Sequence, residues 1–158
     1  MSHKLTVPYA EGTSSVVAHI RNAFKLADAI PLSFVQLASR LSIAAVFWKS
    51  AQSKLASWQV TEQLFAMEYH VPLLPPEIAA PLATATELTG AILIFFGLFA
   101  RIGAIALLGV VATIQVFVYP QNWVEHLQWA SLLVLILARG AGIFSFDNVM
   151  RSYLERSR

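Results

Sequence analysis

One stretch constrains this chain above all others: PLATATELTGAILIFFGLF, residues 81–99, which is apolar over a bilayer's width yet carries a carboxylate, Glu87. As a helix, the segment from Leu82 to Phe99 rises about 27 Å, close to a hydrocarbon core of about 30 Å. An ionisable group in such a helix costs about 2.5–3.5 kcal/mol on insertion scales. The rest of the chain must therefore bring a partner to Glu87.

The composition agrees with a bilayer setting. Of 158 residues, 57% are hydrophobic and only 13% charged, against about 25% charged in soluble domains. The formal net charge of +2, with no basic stripe, excludes a nucleic-acid partner. The absence of cysteine excludes disulfide exchange, thiolate nucleophiles and cysteine-ligated iron–sulfur clusters within the chain. The N-terminus is polar as far as Val16, with no apolar core ahead of a small-residue cleavage site, so insertion is expected to be directed by the first spanning helix.

Residues 1–13 read as a tail. From Thr13 a short helix is expected, with Val16, Ile20, Phe24 and Ala27 on one face. It is too polar to span, and it suits a membrane surface or a soluble neighbour. Pro31 opens the first span, PLSFVQLASRLSIAAVFW, interrupted by Arg40. With no breaker before Pro72, that helix can project beyond the membrane through Lys49 and Lys54. Residues 56–80 read as a surface loop with a partial helix, ending in the breaker cluster VPLLPPE. The second span is Leu82–Phe99, followed by the tight Ala100–Arg101 connection. The third is Ile102–Tyr119, and the fourth begins near Trp123 and ends at Arg139. Ser145 then caps a last helix with Phe146, Val149, Met150, Tyr153 and Leu154 on one face and Arg151, Arg156 and Arg158 suited to anionic lipid.

The expected fold is all-α: a four-transmembrane-helix antiparallel bundle with amphipathic N- and C-terminal interfacial helices. Its parts are residues 1–30 (tail and surface helix), 31–142 (transmembrane domain) and 143–158 (basic C-terminal helix). Grouping Lys4, Arg21, Lys25, Arg101, Arg139, Arg151, Arg156 and Arg158 on one side leaves only Lys49 and Lys54 opposite. The positive-inside rule then puts both termini in the cytoplasm, and Trp48, Trp58, Trp123 and Trp129 on the outer side.

That topology assigns depths to the polar groups. Counted from outer ends at Trp48, Leu82, Tyr119 and Trp123, Glu87 lies about 8 Å inside, Gln115 about 6 Å, His126 about 5 Å and Arg40 about 12 Å. One polar group per helix at comparable depth suggests a shared pocket, with Arg40 pairing with Glu87 and with Gln115 and His126 binding or protonating a ligand. Ala83, Glu87, Gly90, Ala91 and Ile94 share the small-residue face suited to close helix packing, with Leu88, Ile92, Phe95 and Phe99 largely opposite. Arg40, Phe47 and Lys54, spaced by sevens, share the inward side of the first helix. The candidate ligand-binding or proton-handling residues are thus Arg40, Lys54, Glu87, Gln115 and His126. The alternative is that an Arg40–Glu87 pair only fastens helices and His126 touches headgroups. No metal site is expected, because His70, His126 and the nearby acids lack paired ligand spacing. A bis-histidine haem would need His70, from a loop, to reach His126.

Several of these positions coincide with a known pattern. Arg40, Phe47 and Lys54 in RLSIAAVFWKSAQSK, the segment LFAMEYHVP, Glu87 in TATELTGAILIFFGLFAR, His126, and RGAGIFSFD resemble the DoxX family of small four-helix membrane proteins. The resemblance runs from about Phe34 to Asp147 and rests on the order and spacing of these elements. Ala51 departs from it, where family members often have Gly. The resemblance implies membrane-bound redox work: such proteins include subunits of quinone-reducing oxidoreductases, such as thiosulfate:quinone oxidoreductase, and partners in oxidative-stress complexes, and some accompany enzymes of metal-binding peptide maturation. It leads to the expectation of a multi-pass subunit in a bacterial inner (plasma) membrane. No intrinsic cofactor is expected; a quinone is the expected small molecule, with electrons arriving from a redox partner protein. Besides the lipid bilayer, a second copy of the chain is a further expected partner. A non-catalytic anchor or assembly partner, and a small-solute transporter, are the competing readings.

Overall fold

The computed structural model describes residues 11–69, 71 and 74–157, and within these the chain is helices and turns with no strand. The α-helices are α1 (Glu11–Asp28), α2 (Leu32–Ala56), α3 (Trp58–Met67), α4 (Pro76–Phe96), α5 (Ala100–Thr113), α6 (Trp123–Arg139) and α7 (Phe146–Arg156). His70, Pro72, the N-terminal tail through Ala10 and Arg158 lie outside the described residues.

The described residues fall into two compact units, divided between Pro31 and Leu32. In the first, α1 is amphipathic, with Val16, Ile20 and Phe24 on its exposed apolar side. The second unit is built on α2, α4, α5 and α6, with α2 against α4 and α6, and α5 against α4 and α6. Ile43, Ala44, Phe47, Ile94, Leu107, Leu133 and Ile136 fill the space between them. Large apolar residues also face outward, among them Leu41, Ile92, Phe95, Ile102, Ile105 and Val134. Helices α4 and the continuous helical stretch Ala100–Val118 are each long and apolar enough to cross a membrane. The shared face expected on α4 is largely present: Glu87, Gly90, Ala91 and Ile94 are buried and Ile92, Phe95 and Phe99 exposed, whereas Ala83 and Leu88 are both half-buried. In an apolar solvent such a face associates by close packing, not by water exclusion. Gly90 provides it, since a Cβ there would stand 2.7 Å from the Leu107 side chain.

Three boundaries differ from the sequence expectation. One of them is at α5, which starts at Ala100 and not Ile102, so that the expected Ala100–Arg101 connection falls on residues 97–99 instead. Helix α4 starts at Pro76, not Leu82, because Pro75 and Pro76 sit at the N-cap and first turn, where a missing N–H costs nothing; Pro81 is accommodated within the helix. Helix α4 also stops earlier, at Phe96. Gly97, at φ 64°, ends it with Gly97 N–H donating to Ile94 O and Leu98 N–H to Leu93 O, a Schellman cap. Phe99 also takes a positive φ, 47°, and the Asp147 carboxylate then accepts from Phe99 N (2.7 Å) and Ala100 N (3.1 Å), capping α5. The expected Ser145 cap is present, its hydroxyl accepting from Asn148 N.

The expected Arg40–Glu87 pair is not formed. The Arg40 guanidinium instead donates to the carbonyls of Ile94 (2.8 Å), Phe95, Ala141 (2.9 Å) and Phe144 (2.7 Å). It closes the C-terminus of α4 and the loop ahead of α7. One turn earlier on α2, Gln36 Nε2 donates to Arg139 O (2.9 Å) and Gly140 O (3.0 Å), closing α6 in the same way. The last carbonyls of a helix have no partner within it, and their negative dipole end favours a cation. Depth counted from Trp48 failed because α2 continues through Ala56, so Lys54, about 21 Å beyond Arg40 along the helix, is the cation level with Glu87.

Candidate functional site

At the other end of the bundle, Lys54 from α2 and Glu87 from α4 meet. Lys54 Nζ donates to Glu87 Oε2 at 2.8 Å and Oε1 at 3.0 Å, and to Ser50 Oγ at 2.8 Å. The carboxylate side chain is only 2% exposed and the lysine side chain 16%. Glu87 thus obtains the partner that its place in an apolar helix demanded. The 7-residue spacing of Lys54 from Phe47, and of Phe47 from Arg40, puts Lys54 on the buried side of α2, as the sequence indicates.

This pair opens onto a cavity of about 510 Å³. That lies within the usual range of small-molecule sites, about 300–1,000 Å³. Its walls are mainly apolar: Phe47 from α2, Phe65 from α3, Ala83 from α4, Val110 from α5 and Trp129 from α6. Edge contacts stiffen them, with Phe47 and Trp129 ring centroids 6.0 Å apart and Phe65 and Tyr69 5.0 Å apart. His126 of α6 lines the same space, buried and 5.4 Å from the Trp129 ring.

His126 and Gln115, expected at similar depth, do meet. His126 Nδ1 and Gln115 Oε1 are 2.7 Å apart, and Gln115 Nε2 donates to Pro120 O at 3.0 Å. Gln115 stands behind the histidine and is not part of the cavity wall. It sits in a π-helical turn, Ile114–Val118, that periodicity does not reveal. Such widened turns recur at functional sites. Of the five candidates, Lys54, Glu87 and His126 share the cavity, Gln115 supports it, and Arg40 lies at the far end of α2.

Sequence reasoning missed Tyr69 and Tyr119. Tyr119 follows the π turn and donates to Glu68, with Tyr69 Oη 3.4 Å away. Both tyrosines line the cavity. The only signal for them was their place beside breakers, Tyr119 before Pro120 and Tyr69 before the VPLLPP run. Among the described residues no cluster of His, Asp or Glu could hold a metal ion.

The fold and site define an all-helical protein with two helices long and apolar enough to cross a membrane and a mainly apolar cavity that holds an ion pair and a histidine. Residues 35–120, more than half of the chain, match the DoxX family model, and the chain belongs to that family. The match covers Arg40, Lys54, Glu87 and Gln115; His126 and the Arg139–Asp147 segment, counted in the resemblance, lie beyond it. Searches among curated proteins and among solved structures return no match.

Proposed function

We propose that this protein is a multi-pass membrane subunit of a redox system that binds a quinone-type molecule in the cavity lined by Lys54, Glu87 and His126. The convergence of an ion pair and a histidine, from three helices, on one apolar cavity carries this reading. A quinone ring is flat and apolar with polar oxygens at opposite edges, and it matches a site with apolar walls and few polar groups. In this reading α2, α4, α5 with its π turn, and α6 all span, and both termini are cytoplasmic. The positive-inside rule supports the orientation, because Arg101, Arg139, Arg151 and Arg156 fall on the side away from the cavity. The cavity then opens toward the outer surface. Electrons come from a partner protein.

Titrating the purified protein with short-tailed ubiquinone and menaquinone analogues tests the site. Saturable binding, weakened about tenfold or more (about 1.4 kcal/mol) in Glu87→Gln and His126→Ala, is expected. Unchanged affinity in both variants removes the site.

One observation favours a second reading, an assembly or anchoring protein with purely structural charges. Every buried side-chain nitrogen and oxygen among the described residues already has a partner. On that reading the exchange Lys54→Glu with Glu87→Lys restores both fold and function; on the first it restores only the fold.

A further inference from the structure

The hydrogen-bonding role open to His126 in the cavity follows from Gln115. The Pro120 carbonyl can only accept, so it fixes the Gln115 amide with Nε2 toward Pro120 and Oε1 toward His126. Oε1 in turn can only accept, so His126 Nδ1 carries the hydrogen of this bond. In the neutral ring Nε2 is then an acceptor. No described residue bonds Nε2, so it is the ring nitrogen left for a ligand in the cavity that His126 lines.

Several neighbouring donors are already engaged, although Trp129 Nε1 and the Ser50 hydroxyl, which also line the cavity, donate to no described residue. Lys54 Nζ is held by Ser50 Oγ and by both oxygens of the Glu87 carboxylate. The Tyr119 hydroxyl donates to Glu68, and the Thr86 and Thr113 hydroxyls donate to Leu82 O and Gly109 O of their own helices. A ligand that offers only carbonyl oxygens meets His126 Nε2 lone pair to lone pair. A ligand that carries a hydroxyl can donate to it.

We propose that Gln115 is a positioning residue that holds His126 in the Nδ1–H form, and that the cavity edge at His126 therefore prefers a phenol or hydroquinone hydroxyl over the matching carbonyl or ether. This deepens the quinone-site reading and rests on it: the form retained is the reduced one. The selection is a binding preference and needs no proton transfer.

Calorimetric titration of the full chain in detergent with 1-naphthol, 1-methoxynaphthalene and 1,4-naphthoquinone tests it. Naphthol is expected to bind about tenfold or more tightly than either of the others. In Gln115→Leu the ratio should fall toward one. Nitrogen-15 spectra of histidine-labelled protein supply a signature that a merely structural role would not move. His126, identified by its loss in His126→Phe, should show a protonated Nδ1 and an unprotonated Nε2, and Gln115→Leu should mix the tautomers. Saturable binding of all three probes with equal affinity, or tighter binding of the quinone, overturns the selection and leaves the cavity a ligand site. No binding of any probe overturns both. A protonated Nε2 in the unliganded protein also overturns it, and the wild-type measurements decide the matter even if Gln115→Leu fails to fold.

Discussion

Helix α2 carries two inward-facing cations, and its two ends treat them in opposite ways. Arg40 is 2% exposed and spends its donors on four backbone carbonyls, sealing the ends of α4 and of the loop before α7. Lys54 meets a side-chain carboxylate instead, beside a cavity of about 510 Å³. The planar guanidinium suits several carbonyls arrayed around it, whereas the ammonium is a compact charge that pairs with one carboxylate and one hydroxyl. A buried basic residue in an apolar helix is therefore not evidence of a ligand site by itself. What distinguishes the ends is the partner: backbone that must be capped, or a side chain beside open space.

The contrast is sharpest for Arg40→Met, which leaves those carbonyls without a donor. It is expected to lower stability by about 3 kcal/mol or more, read from thermal or denaturant unfolding in detergent by circular dichroism. A loss below that of any Lys54 or Glu87 variant would erase the distinction between the ends. Gly97→Ala follows, because a Cβ at φ 64° would lie 2.7 Å from Arg40 Cζ and 2.6 Å from Ser145 Cβ. About 2 kcal/mol is expected from the backbone strain and displaced guanidinium together. Glu87→Gln should cost less, about 1–2 kcal/mol, since an amide oxygen can still accept from Lys54 and the lysine keeps some contact with solvent. Combining it with Lys54→Met in a double-mutant cycle should recover about 1 kcal/mol of coupling. Additive losses would mean that the pair contributes nothing as a pair.

Much of the bundle was legible. The small-residue face of α4, the sevens along α2, the Ser145 cap and the α6 limits all follow from periodicity and capping chemistry, which are local. The burial of Glu87 was legible as well, together with the need for a partner. Its identity was not. Depth arithmetic took Trp48 as the end of α2 and therefore chose Arg40, although the run without breakers continued to Lys54. The pairing of Gln115 with His126 was only approached, as similar depth on adjacent helices. The π turn that carries Gln115 has no signature in hydrophobic spacing, and Tyr69 and Tyr119 line the cavity from just beyond the ends of α3 and the π turn, where helical periodicity no longer applies.

The chain by itself determined that apolar helices pack through small residues and that an acid at position 87 must be matched inside them. Those conclusions need only transfer costs and the helical repeat, which act residue by residue. Only the tertiary structure decided which cation answers Glu87, because two candidates share one face of α2 and the choice depends on the relative height of α2 and α4. That height is set by Arg40 gripping the last carbonyls of α4, together with the Gly97 turn. The residue first assigned to Glu87 is thus the one whose grip at the far end brings Lys54 to it.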